Sequence, residues 1–238
     1  MMSTESGNPS IGILCWEAGQ VPRGLIQLEA LLGNSTNPAS YAFPVRFCRV
    51  KGANIHTILE NPDRAVLQSM IEAARQMAAS GIRAITTSCG FNAVFQNELA
   101  DALDVPVFTS SLLQVPLAQR IVGGRGEVCV ITAKKAALKA EHLAAAGIER
   151  TDNLRIVGLE TCPQWSGIFN APDEDLDVDA VRDEVVGMAL EAGRSHPAIK
   201  AFVLECTDLP PFAAEIRKRT GLPVFDFMTL VDFIRAAL

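Results

Sequence analysis

The sequence predicts an α/β fold made of two pseudo-symmetric four-stranded parallel-sheet halves that face a central cleft. Three observations lead there. Short apolar runs alternate with helix-period segments along almost the whole chain, the runs are apolar throughout, and one stretch of the chain is repeated further on. Parallel strands covered by helices on both faces read as solid apolar runs, whereas a half-exposed antiparallel strand alternates.

In chain order, the runs bounded by turn residues predict strands over 11–16, 45–50, 82–87, 105–109, 127–132, 154–159, 201–205 and 222–226. Between them, segments with apolar residues at helical spacing predict helices over 23–32, 64–79, 93–103, 112–122, 134–146, 179–195 and 212–220, with a last helix over 230–237. The halves are expected over 1–115, joined by the C-terminal segment 222–238, and over 116–221. The segment 160–173 between a strand and a long helix is expected to be a loop.

Composition narrows the function classes. The chain has 238 residues, enough for one large domain or two small ones with a real core. Its net charge of −6 argues against a nucleic-acid surface, which needs clustered Lys and Arg. No apolar run is long enough to span a membrane, so no membrane partner is expected. The polar start MMSTESGNPS lacks the apolar stretch of a signal peptide and is expected to be a disordered tail, which predicts a cytoplasmic protein. Six cysteines without a CxxC pair, and three isolated histidines, predict free thiols and no metal site.

The repeat carries the functional argument. Residues 82–113 (IRAITTSCGFNAVFQNELADALDVPVFTSSLL) align without a gap with 199–230 (IKAFVLECTDLPPFAAEIRKRTGLPVFDFMTL), at an offset of 117. Cys89 meets Cys206, Phe95 meets Phe212, and the PVF triplets coincide. Each cysteine is thereby set at the C-terminal end of the third strand of its half, the edge where open α/β sheets bind ligands. If the halves face each other, the two thiols enter one cleft from opposite sides. Unpaired N–H groups and the dipole at a helix start are expected to lower both thiol pKa values. A thiolate on one face of a carbon acid can remove a proton while a thiol on the other face returns one, inverting the centre with no cofactor. The intermediate then needs donors beside each sulfur. Thr87, Ser88 and Thr207 offer hydroxyls there, and Gly90 allows close backbone approach.

This layout resembles the aspartate/glutamate/hydantoin racemase superfamily, on the paired motifs Ser88-Cys89-Gly90 and Glu205-Cys206-Thr207 and over nearly the whole chain from Ile11. The resemblance implies a cofactor-independent amino-acid or hydantoin racemase or epimerase, with Cys89 and Cys206 as the acid/base pair and a small carboxylate-bearing or hydantoin-like substrate. It also implies a homodimer. Glutamate racemases carry Cys-Asn-Thr at the first thiol, where this chain has Cys89-Gly90-Phe91 followed by Asn92. They carry Cys-Thr-His at the second, where this chain has Cys206-Thr207-Asp208. Their first strand leads into Asp-Ser, here Trp16-Glu17, and of their Thr- and Ser-rich fifth-strand turn only Thr132 matches. Phe91, Asn92, Thr132, Trp16 and Glu17 join the expected substrate-binding set. Phe91 and Trp16 suit a less polar substrate such as a hydantoin or aryl acid.

Two other enzymatic readings use the same scaffold: a maleate-type cis–trans isomerase with one cysteine nucleophile, and an arylmalonate-type decarboxylase with a single cysteine. A non-catalytic small-molecule binder is the third alternative. Cys15, Cys48 and Cys129 are expected as small core residues, and Cys162 as incidental to its loop. Trp165 reads equally well as a lid contact or as loop packing, and Lys134 and Lys135 as solvated. GGRG at 123–126 precedes a strand, so it is a turn and no dinucleotide fingerprint. The acidic run DEDLDVD at 173–179 lacks the central glycine of a calcium loop and reads as a helix start.

Overall fold

The computed structural model describes residues 9–238, so the expected N-terminal tail lies outside the described residues. Eight strands form two four-stranded parallel sheets. The first contains β1 (Ile11–Cys15), β2 (Val45–Arg49), β3 (Ala84–Thr87) and β4 (Val107–Phe108), in the order β2-β1-β3-β4. The second contains β5 (Glu127–Thr132), β6 (Leu154–Gly158), β7 (Ile199–Leu204) and β8 (Val224–Phe225), in the same order, β6-β5-β7-β8. Even the register repeats. Ile85 pairs with Val107 and Thr86 with Phe108, while their counterparts Phe202 and Val203 pair with Val224 and Phe225. The central strands β1, β3, β5 and β7 are almost wholly buried, as two-sided helix cover requires.

The helices follow the apolar spacing. Arg64–Ala79 buries Val66, Leu67, Met70, Ile71, Ala74 and Met77 along one stripe, and Asp63 caps its first turn by accepting from the Ala65 N–H. Several expected helices open with a 3-10 turn, including Gly90–Phe95 ahead of Gln96–Asp101 and Pro210–Phe212 ahead of Ala213–Thr220. Around position 222 the chain divides differently from the expected boundary. Val224–Phe225 hydrogen-bonds to β7 within the second sheet, and only the helix Phe227–Ala237 crosses to the first, where Phe227, Leu230 and Val231 pack with Ile11, Ile13 and Phe108.

The segment 160–173 is not a loop throughout. Pro163–Asn170 is a helix whose first N–H groups, on Gln164 and Trp165, are accepted by the Glu184 carboxylate at 2.9 Å. A carboxylate there meets the positive end of the helix. Trp165 is fully buried, and its indole N–H donates to the Ala133 carbonyl at 3.1 Å. From the second half this helix leans on the first, with Ile168 against Gly24. The Arg23 N–H also donates to the Pro172 carbonyl at 2.7 Å.

Candidate active site

Both thiols line one small pocket between the halves. The first half contributes Trp16, Glu29, Arg49, Ser88, Cys89, Gly90 and Phe91; the second contributes Glu205, Cys206, Thr207 and Asp208. The pocket encloses about 40 Å³, room for about three waters. Beside it lies a cavity of about 840 Å³, and Val21, Leu59, Ala133 and Phe169 line both.

Parallel topology sets the two thiol turns side by side at the strand ends, and polar contacts lock them together. The Thr207 hydroxyl donates to the Ser88 carbonyl at 2.5 Å, and the Ser111 hydroxyl donates to the Leu204 carbonyl at 2.5 Å. Gly90 is needed for this approach, because a side chain there would stand 2.2 Å from both the carbonyl and the Oε1 of Glu205. The glycine admits the opposite turn of the protein.

Of the residues expected at the site, Trp16, Ser88, Cys89, Gly90, Phe91, Cys206 and Thr207 line the pocket, and Glu17, Thr87, Asn92 and Thr132 do not. The Thr87 hydroxyl is committed to the Cys89 and Thr109 carbonyls at 3.0 and 2.8 Å. Glu17 turns away and accepts from the Gly52 N–H at 2.9 Å. Asn92 is buried with its side-chain oxygen unpartnered. Thr132 acts one layer back, its hydroxyl donating to Oε2 of Glu205 at 2.7 Å. Lys134 lines the larger cavity. The sequence reading did not single out Glu29, Arg49, Glu205 or Asp208 as site residues. Glu205 and Asp208 stand within two residues of the second thiol in the sequence, which is a usable signal. Glu29 and Arg49 come from separate elements and left none.

The electrostatics reverse one expectation. Burial pushes the Cys89 thiol well above its ordinary pKa, and the Glu205 carboxylate adds to this, against the Phe91 N–H and the Trp16 side chain. Burial also raises Cys206, reinforced by the charges of Asp208 and Glu205. Helix-end stabilisation is the weaker effect: Cys89 caps only a 3-10 turn, and the helical turn after Cys206 does not begin until Pro210. Glu205 is fully buried; withdrawal from water pushes its carboxyl up to about 7 against the Thr132 and Ala133 hydrogen bonds. Its Oε1 has no partner. Burial likewise pushes Asp208 up to about 6, opposed first by the Asn34 amide. Asp208 Oδ2 accepts from the Cys206 thiol at 3.6 Å. Near neutral pH the pocket therefore holds protonated thiols beside carboxyls that accept protons readily. Among the described residues, no three His, Cys, Asp or Glu side chains converge to hold a metal, and no helix is long and apolar enough to cross a membrane.

Residues 52–231 match the Asp/Glu/Hydantoin racemase family. The chain belongs to that family. A solved allantoin racemase from Pseudomonas fluorescens superposes with a TM-score of 0.64 at 18% identity, covering 96% of this chain and 89% of that one. The similar sequences carry another activity in their names. Dimethylsulfoniopropionate lyase 7 of Emiliania huxleyi (strain CCMP1516) is 30% identical over 241 residues, 97% of this chain and 67% of that protein. A dimethylsulfoniopropionate lyase of Durusdinium sp. clade D is 29% identical over 220 residues, 88% of this chain and 72% of that protein. The expected scaffold and enzyme family stand, while these relatives are named for a lyase and not for the expected isomerase.

Proposed function

We propose that this protein is a cofactor-free lyase acting on a small carboxylate that bears a sulfonium group on its β-carbon, the class of dimethylsulfoniopropionate. One observation carries the reading: Glu29, Glu205 and Asp208 wall the pocket around the two thiols, with the Trp16 ring beside them. Such a wall repels the side-chain carboxylate of glutamate or aspartate and attracts a cation, which an aromatic face also favours. Arg49, 3.7 Å from Glu29, is the basic side chain available to the substrate carboxylate. The names of the sequence relatives agree with this reading.

The elimination balances without a co-reactant. A thiolate takes the proton from the carbon next to the carboxylate, the C–H electron pair becomes the C=C bond, and the carbon–sulfonium bond breaks with its pair on sulfur. The products are a neutral dialkyl sulfide, an acrylate and one proton. The substrate also helps to make the base. A positive charge about 4 Å from a thiol in a medium of effective dielectric about 20 is worth about 4 kcal/mol, which is about three pKa units in favour of thiolate. That contribution opposes the burial that raises both thiols.

A racemase or epimerase is the second reading, favoured by the second thiol: elimination needs one base, and Cys89 lines the same pocket as Cys206. The test is incubation with dimethylsulfoniopropionate in deuterated buffer, with headspace dimethyl sulfide and acrylate measured together. Stoichiometric release of both is expected. Absence of sulfide, with deuterium entering Cα of hydantoins or amino acids as optical rotation decays, overturns the lyase in favour of the racemase.

A further inference from the structure

After the helix Arg23–Glu29 the first half sends a tight turn across to the second thiol. Asn34, at its centre, is fully buried. Its side-chain oxygen accepts from the Thr36 N–H at 3.0 Å and the Thr36 hydroxyl at 2.9 Å. That fixes the amide orientation, so the Nδ2 donors must point the other way, where one meets Oδ1 of Asp208 at 2.8 Å. The remaining Asp208 oxygen, Oδ2, faces the Cys206 sulfur at 3.6 Å. The turn is held rigidly. The Ser35 N–H donates to the Thr207 carbonyl at 3.3 Å, the Ser40 hydroxyl donates to the Asn34 carbonyl at 2.9 Å, and the Gly33 N–H donates to the Ser40 oxygen at 2.8 Å.

We propose that Asn34 is a positioning residue: by holding Oδ1 of Asp208 it aims Oδ2 at the Cys206 sulfur and makes that carboxylate the acceptor of the thiol proton. The proposal rests on the lyase reading only for what the resulting thiolate attacks. The atoms balance within the pair: the S–H bond breaks, an O–H bond forms on Asp208, and the negative charge moves from oxygen to sulfur. The groups that face Asp208 are Glu29 from the preceding helix, Arg49 at the end of β2, Cys89 from the first thiol turn, and Glu205 and Cys206 from its own turn. Beside them the Asn34 amide donates to Oδ1, and the Cys206 thiol donates to Oδ2.

The test is the rate of Cys206 alkylation by iodoacetamide from pH 4.5 to 9, read on the Cys206 peptide by mass spectrometry. Dimethyl sulfide release is followed in parallel. In the parent protein the rate rises through a limb near pH 6 as the pair loses one of its two protons. Asn34→Asp keeps the acceptor for Thr36 and removes the donor to Asp208. Its limb is expected at least about one unit higher, read as the pH of half-maximal alkylation. Asp208→Asn is expected to abolish the limb. Asn34→Ser, which also keeps an acceptor in the turn, replaces Asn34→Asp should that variant lose its circular-dichroism spectrum. A limb in the Asn34 variant that superimposes on the parent's, or one that survives in Asp208→Asn, overturns the proposal. A parent that shows the Asn34-dependent limb yet releases no sulfide leaves the positioning role standing and removes the lyase reading instead.

Discussion

Around Cys89 the chain supplies Ser88, Gly90 and Phe91; at the matched positions around Cys206 it supplies Glu205, Thr207 and Asp208. The backbones of the two regions follow one plan, down to the pairing of the third and fourth strands. Their side chains do opposite things. Phe91, in Asp208's place, is buried edge-on against His142 with ring centres 5.7 Å apart, and burial keeps that histidine below its ordinary pKa. Asp208 instead stands within reach of its own thiol. Duplication preserves a scaffold, and a few side chains then decide whether two equivalent sulfurs remain equivalent. Here they do not: only the second has a carboxyl within its own turn to receive a proton, as a one-base elimination needs and a symmetrical two-base inversion does not.

The sharpest way to break this contrast is to remove each sulfur. Cys206→Ser is expected to reduce sulfide release by about 10³-fold, and Cys89→Ser by about tenfold or less, measured as kcat by gas chromatography. Equal and complete losses would make both thiols essential to the elimination and erase the contrast between them. The contrast also depends on the halves staying clamped. Trp165, fully buried on the inner face of the helix that bridges them, is expected to cost about 3–5 kcal/mol on replacement by alanine. Urea denaturation reads this directly, and an unchanged midpoint would show that the bridging helix carries no stability.

Glu205 allows a finer comparison, because the equivalent residue in the first turn is Ser88. Its folded pKa of about 7 lies above the ordinary 4.5, so the folded state holds a proton that the unfolded chain has lost between these values. Stability from this group therefore falls as pH rises from 4.5 to 7 and levels off above. The penalty is on the order of 3 kcal/mol at most. Glu205→Gln keeps an acceptor for Thr132 and removes the charge, so its melting temperature is expected to match the parent's at pH 4.5 and exceed it at pH 8. A constant difference between the two pH values would mean that Glu205 titrates normally. The smallest effect is expected at the Arg23–Asp175 pair, which joins the halves at 2.6 Å with both side chains exposed. Arg23→Ala should cost less than about 1 kcal/mol and less still in high salt, read by the same urea titration.

The architecture was legible because its signals are local. Apolar runs and helical spacing found every strand of both sheets, and the repeat placed the two cysteines at matching strand ends. The helix Pro163–Asn170 escaped because it is short and its N-terminal partner, Glu184, lies on another helix. Thr87 looked like a substrate contact because a hydroxyl beside a cysteine is visible in sequence, whereas its two backbone acceptors belong to the fold. The thiol acidities run opposite to the local expectation for a related reason: a helix start is a local feature, but depth of burial depends on how the halves close. Asn34, in a stretch of ordinary turn residues, was invisible until folding set it against Asp208, far along the chain.

The lining that the small pocket shares with the larger cavity, Val21, Leu59, Ala133 and Phe169, has a consequence of its own. On the lyase reading, a pocket of about 40 Å³ must widen to admit a sulfonium acid, so these side chains are expected to step aside as substrate enters. Passage between them is then expected to limit turnover. A solvent thickened with a small viscogen would register it as a proportional slowing of the enzyme.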